Sequence, residues 1–166
     1  MMNEVLDKPL DIEENGKDFK ENALIKAKAL EPYVKDLILA DDSGLVIDAL
    51  NGKPGIESAR FMGHDTSYSI KNKKILEMME GKMNRSARFV CAMALIIPQK
   101  EPIIVEETFE GEIAIKIEGE NGFGYDPIFY YPPLHKTSAM MTLEEKNQYS
   151  HRAKALRKVF EILYNL

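Results

Sequence analysis

The run from Ala87 to Ile97 is apolar at every position except Arg88, a pattern that suits a strand buried on both faces. Such a strand must lie inside a sheet with elements packed above and below it, because its backbone groups have no water to pair with. The rest of the chain has to supply that cover. With 166 residues and 45% hydrophobic content, it is large enough to bury a core as one domain. No repeat, low-complexity segment or Gly/Ser/Pro-rich linker divides it, so the expectation is a single domain over residues 1–166.

The covering elements follow from periodicity. From Lys17 to Val34, Phe19, Ala23, Ala27 and Leu30 recur at helical spacing, with Pro32 marking the end. Tyr68 to Met79 reads as a second helix with Ile70, Lys73, Leu76 and Met79 on one face. Ser150 to Leu163 reads as a third, carrying Ala153, Leu156, Phe160 and Leu163. Leu37 to Ala40 predicts a buried strand, a polar break at Asp41-Asp42-Ser43-Gly44, and a second strand from Leu45 to Ile47. Ile103–Phe109 and Glu112–Ile117 flank Glu110-Gly111 and predict an antiparallel hairpin. Asn51 to Gly55 predicts a turn. The class is α/β, a mixed twisted sheet with flanking helices.

Charge narrows the function. A net charge of −5 argues against a nucleic acid polymer as partner, which requires a basic surface that releases counterions. The acidic start, with Glu4, Asp7 and Asp11, is no secretory signal, and no stretch is long and apolar enough to cross a membrane. The single cysteine, Cys91, lies in the apolar run and reads as a small buried hydrophobe. A cytoplasmic protein is the expectation.

Three segments carry candidate chemistry. Asp41 and Asp42 follow a buried strand, and paired carboxylates there suit Mg²⁺ or proton transfer; an ordinary Asp-rich turn is the alternative. Gly122-Phe123-Gly124-Tyr125-Asp126-Pro127 combines glycines that admit close approach with aromatics that offer stacking faces, or else core packing. Lys146, then Ser150, His151 and Arg152 at a helix start, suits oxo groups, or is a basic helix start capped by Ser150. His64 and His135 have no partner at metal spacing and read as loop residues, and no zinc, nucleophile-elbow or Walker pattern occurs.

Taken in order, the segments are more specific than any one alone. Glu13-Glu14-Asn15-Gly16, Phe19 with Glu21-Asn22-Ala23, Ala40-Asp41-Asp42-Ser43-Gly44-Leu45 and Pro54-Gly55-Ile56-Glu57-Ser58-Ala59-Arg60 precede Gly122–Pro127 and Glu145-Lys146 with Ser150-His151-Arg152. This set resembles the inosine triphosphate pyrophosphatase family, which acts on non-standard purine nucleotides. The resemblance implies two lobes around a nucleotide cleft, usually in a homodimer. It also implies Mg²⁺-dependent cleavage of purine nucleoside triphosphates (ITP, dITP and XTP) to monophosphate and pyrophosphate. By position it makes Glu14, Asp41 and Asp42 the metal-linked acids, Asp42 the proton acceptor and Ser43 a substrate contact. Phe123 would stack on the purine, with Gly124, Tyr125 and Asp126 shaping the pocket. Lys146, His151 and Arg152 would read the base.

The same family begins with a strand and a Thr/Ser-Gly-Asn-x-x-Lys loop that grips the triphosphate, and Met1 to Asp11 contains neither. The sequence therefore also predicts an alternative: a purine-nucleotide-binding or assembly module, weak or absent in catalysis, that has lost its phosphate loop.

Overall fold

The structure, a computed structural model, describes residue 6 and residues 8–166; Glu4 and Asp7 of the acidic start lie outside the described residues. In chain order the elements are α1 (Phe19–Leu30), β1 (Ile38–Ile47), α2 (Tyr68–Met78), β2 (Ser86–Ile96) and β3 (Ile103–Ile113), then β4 (Phe129–Tyr131), β5 (Lys136–Thr137), α3 (Leu143–Tyr149) and α4 (His151–Tyr164). Among the described residues the strands form one five-stranded sheet in the order β1-β2-β3-β4-β5, which sets β2 between two neighbours as its apolar run requires. β4 pairs antiparallel with β3, Glu112 opposite Tyr130, and with β5, Tyr131 opposite Lys136. The α/β class is as the sequence predicts. No helix among the described residues is long and apolar enough to cross a membrane.

The chain divides into two compact units, each built from separate stretches. The first comprises the described residues up to Asp42, with Cys91–Glu107 and Ala155–Leu166. Its core sets Cys91, Met93 and Leu95 of β2 against Ala155 and Val159 of α4, with Ile103 and Val105 alongside. Helix α1 starts where Asp18, in extended conformation, accepts a hydrogen bond from the Glu21 amide at 2.8 Å. It buries Phe19, Asn22, Ala23 and Ala27.

The second unit comprises Ser43–Val90 and Thr108–Lys154. Its core joins Leu45 and Ile47 of β1, Ile75 of α2 and Met79 just after it to an aromatic group, with Phe89 and Phe129 at 4.5 Å between ring centroids and Phe109 and Phe129 at 5.0 Å. Helix α3, which the periodicity does not reveal, opens with a capping box: Thr142 accepts from the Glu145 amide and Glu145 reaches back to Thr142. Ser150 caps the next helix, accepting from the Ala153 amide at 3.2 Å.

Several expectations are corrected. There is no break at Asp41–Gly44: β1 runs unbroken from Ile38 to Ile47. There is no hairpin turn at Glu110-Gly111 either, because β3 continues to Ile113. Gly111 serves packing instead, since a Cβ there would meet the Tyr130 carbonyl oxygen at 2.5 Å and the Phe129 ring at 2.7 Å. On α2 the buried face is Lys71, Asn72 and Ile75, while Ile70 is exposed. On α4, Ala155 and Val159 are buried and Phe160 is exposed.

Gly111→Ala should therefore lower stability by about 2–3 kcal/mol through overpacking of β3 on β4. Urea unfolding reads this directly, and an unchanged midpoint would contradict the close approach.

Candidate functional site

Successive side chains on an extended strand point to opposite faces, so a continuous β1 sends Asp41 and Asp42 in different directions. Asp42 goes inward and is 7% exposed. There Lys26 Nζ, from the middle of α1, donates to Asp42 Oδ1 at 2.8 Å and lies 3.0 Å from Glu14 Oε1. The same ammonium donates to the Asp41 backbone carbonyl at 3.1 Å. The end of the turn leading into α1 is held by Asn22, whose Oδ1 accepts from the Gly16 amide at 2.8 Å. A cavity of about 430 Å³ opens beside this cluster, lined by Leu10, Ile12, Glu14, Lys26, Leu30 and Asp41 among others.

Electrostatics follow from burial and pairing. Burial pushes the Asp42 carboxyl up, Lys26 pulls it back, Glu14 adds to the rise and the Asn22 amide lowers it slightly, leaving its pKa above the usual carboxylate value. Burial works against the Lys26 charge, but the hydrogen bonds and charges of Asp42 and Glu14 outweigh it and hold its pKa above the ordinary lysine value. Asp42 Oδ2 is buried without a hydrogen-bond partner.

Among the described residues no three His, Cys, Asp or Glu side chains gather as a metal site, so Glu14, Asp41 and Asp42 do not form the expected three-carboxylate set, although Asp41 lines the same cavity as Glu14. Two carboxylates do converge on one cation position, held here by the Lys26 ammonium, and one of them keeps a buried oxygen without a full hydrogen bond. That pair fits a hard divalent cation, which takes one or two carboxylates and completes its shell with water and phosphate oxygens.

The remaining predicted residues lie in the second unit. Ser43 follows Asp42 on β1 and is half-buried. Phe123 is 68% exposed, whereas Tyr125 is a core residue whose hydroxyl donates to the Ser58 carbonyl at 2.5 Å. The aromatic pair thus splits between an open face and the core. Gly124 adopts a φ of +64° between them. Asp126 ties the loop: its Oδ2 accepts from the Phe123 amide at 2.9 Å and from Lys146 Nζ, and its Oδ1 accepts from Ser138 Oγ at 2.6 Å. Lys146 Nζ lies 4.9 Å and the Arg152 guanidinium carbon 5.9 Å from the Phe123 ring centroid. Phe123, Lys146 and Arg152 are therefore brought together, while Tyr125 and Asp126 support them from beneath.

His151 stacks on Phe89, ring centroids 5.0 Å apart and planes at 17°, with Nδ1 buried and unpaired. Burial first, then the charges of Arg152, Lys146 and Lys154, drives its pKa down to about 3, so the ring is neutral at pH 7.

Sequence reasoning missed Lys26 and gave Asn22 no role. Both sit on the apolar stripe of α1 with Phe19, Ala23, Ala27 and Leu30, and a lysine on a buried stripe is a signal that periodicity could have raised.

The α/β sheet thus carries, in one unit, two carboxylates on a lysine and, in the other, an exposed aromatic ring flanked by cations. A sequence model of the Ham1 family matches residues 2–162. The chain is 50% identical to a dITP/XTP pyrophosphatase of Exiguobacterium sp. over 89% of its own length and 75% of that protein's. It is 49% identical to a protein of the same name from Geobacillus kaustophilus, over 91% and 75%. Among solved structures, the Ham1 protein of Staphylococcus aureus superposes with a TM-score of 0.90 at 43% identity, covering 94% of this chain and 81% of that one. The chain belongs to the Ham1 family. Because the match begins at residue 2, it lends no support to the expectation that the front of the family's pattern is missing.

The His151 shift predicts an acid-sensitive fold. The unfolded chain takes up a proton on this imidazole from about pH 6.5 downward, the folded protein only near pH 3, so acid favours unfolding across that window. His151→Gln should remove about 2–3 kcal/mol of the stability lost between pH 7 and pH 4.5, as measured by urea unfolding at the two pH values. An unaltered pH dependence would show that the ring is not buried neutral.

Proposed function

We propose that this chain hydrolyses non-standard purine nucleoside triphosphates, ITP, dITP and XTP, to the monophosphate and pyrophosphate, with Mg²⁺, as a homodimer in the cytoplasm. The observation that carries the reading is the buried Asp42 carboxylate. It shares one cation position with Glu14 and keeps an oxygen without a full hydrogen bond, within a family whose compared relatives are named dITP/XTP pyrophosphatases.

In the proposed reaction a water attacks the α-phosphorus, the bond to the oxygen bridging the α and β phosphorus atoms breaks, and pyrophosphate leaves. Asp42 accepts the water's proton; its raised pKa brings it closer to the working range of a general base. Glu14 and Asp42 would hold Mg²⁺, which when bound neutralises phosphate charge and makes water easier to deprotonate. Lys26 orients both carboxylates and adds positive charge beside the phosphates. Ser43 contacts the substrate. At the base, Phe123 stacks on the purine, with Gly124, Tyr125 and Asp126 shaping its seat. Lys146 and Arg152, together with neutral His151, favour a 6-oxo group over the 6-amino group of adenine, because an amino group would set a donor against the Lys146 and Arg152 donors.

A second reading has one observation in its favour: Lys26 itself fills the position between Glu14 and Asp42. On that reading the chain is a purine-nucleotide-binding module without chemistry. Inosine monophosphate would then raise the melting temperature while no pyrophosphate is released from any triphosphate.

Pyrophosphate release with Mg²⁺ separates the two. The parent should cleave dITP much faster than dATP, and Asp42→Asn should lower the rate by about 10²–10⁴-fold. Because the charged form of Asp42 is disfavoured by burial, Asp42→Asn should leave the melting temperature within about 4 °C of the parent. Equal cleavage of dATP, or an Asp42→Asn protein as fast as the parent, would sink the hydrolase reading.

A further inference from the structure

Helix α2 buries two polar side chains on the face where apolar residues would be expected. Lys71 is 1% and Asn72 3% exposed, next to Ile75 at 0%. Lys71 is accounted for, since its Nζ donates to the Ala59 carbonyl at 2.7 Å and lies 4.7 Å from the Tyr68 ring centroid. Asn72 is only half accounted for. Its Nδ2 donates to the Gly124 carbonyl at 3.1 Å, while its Oδ1 is buried without a partner.

For folding alone this is a poor choice. A buried carbonyl left unpaired is destabilising, and an apolar side chain of similar volume would avoid that penalty at the cost of the Gly124 hydrogen bond. The amide cannot turn over to relieve it, because that would set its oxygen against the Gly124 oxygen, an acceptor facing an acceptor. What Asn72 achieves is a hold on one peptide group. Gly124 sits at φ +64° between exposed Phe123 and buried Tyr125, and a Cβ on it would lie 3.6 Å from the Tyr68 ring. Asp126 holds the Phe123 amide on the upstream side. Asn72 holds the carbonyl on the downstream side, so the backbone on both sides of Phe123 is anchored.

We propose that Asn72 is a positioning residue for base recognition: its hydrogen bond to the Gly124 carbonyl sets the plane in which the Phe123 ring meets the purine. This rests on the base-stacking role proposed for Phe123. Asn72 touches neither the base nor the phosphates, and it acts through the backbone of the loop. Losing it loosens the ring, which weakens binding and blurs the choice between purines while leaving the phosphoryl step intact.

The test compares the parent with Asn72→Leu and Asn72→Ser. Leu removes the orphaned Asn72 oxygen but also leaves the Gly124 carbonyl without its donor, so the two effects oppose and the melting temperature should change little; Ser is too short to reach Gly124 and decides the matter if Leu does not fold. Both should raise KM for dITP about 3–10-fold, with kcat within about twofold, and narrow the dITP-over-dGTP preference in kcat/KM by a similar factor. The Kd for inosine monophosphate, measured by calorimetry, should weaken equally. Unchanged KM, Kd and preference in a folded variant overturn the proposal. So does a fall in kcat that tracks lost thermal stability, the mark of a merely structural role. If the parent binds inosine monophosphate but cleaves nothing, the hydrolase reading fails alone, and the Kd comparison still decides Asn72. If the parent binds no purine nucleotide, both fail.

Discussion

A carboxylate removed from water must meet a cation or several donors, or it will take up a proton instead. That constraint shapes both units. In the first, Asp42 is buried on β1 and α1 brings Lys26 to meet it, with Glu14 completing a net-negative cluster around one ammonium. In the second, Asp126 is buried behind the Phe123 loop and is met by Lys146, Ser138 and a backbone amide. The two solutions differ in completeness. Both Asp126 oxygens are engaged, which makes it a knot that fixes the loop. One Asp42 oxygen has no full hydrogen bond, only the Asn22 amide acting on the carboxylate, which leaves it with capacity for a ligand or a proton.

Helix ends and loops supply the geometry that the strands cannot. The capping box at Thr142 starts α3 and holds Glu145 for Lys136, so that Lys146, one residue on, is aimed back at Asp126. Ser150 then caps α4 directly after α3 ends, and His151 and Arg152 come off that start in different directions. His151 goes in, onto Phe89, and loses its charge; Arg152 goes out, toward the Phe123 ring. Adjacent residues thus take opposite electrostatic characters because the first turn of a helix sends them to different environments. The same economy operates on α2, where Lys71 and Asn72 each spend a buried polar side chain on a backbone carbonyl of a separate loop.

Much of this was legible in the chain. The apolar run at Ala87–Ile97 determined a fully covered strand, and the helical spacing of Phe19, Ala23, Ala27 and Leu30 determined α1, because those patterns report directly which face is buried. The motif order determined the family. Local signals failed where a tertiary neighbour overruled them. Asp-Asp-Ser-Gly reads as a turn, yet the pairing of β1 in the sheet and the reach of Lys26 hold it extended. Glu110-Gly111 reads as a hairpin, yet the glycine is there because Tyr130 and Phe129 come too close for a Cβ. Which of two neighbouring acids is buried, which aromatic of Phe123 and Tyr125 faces out, and why Asn72 is inside were decided only by tertiary structure. Those outcomes depend on contacts between residues 16 to 67 positions apart, which no window along the sequence contains.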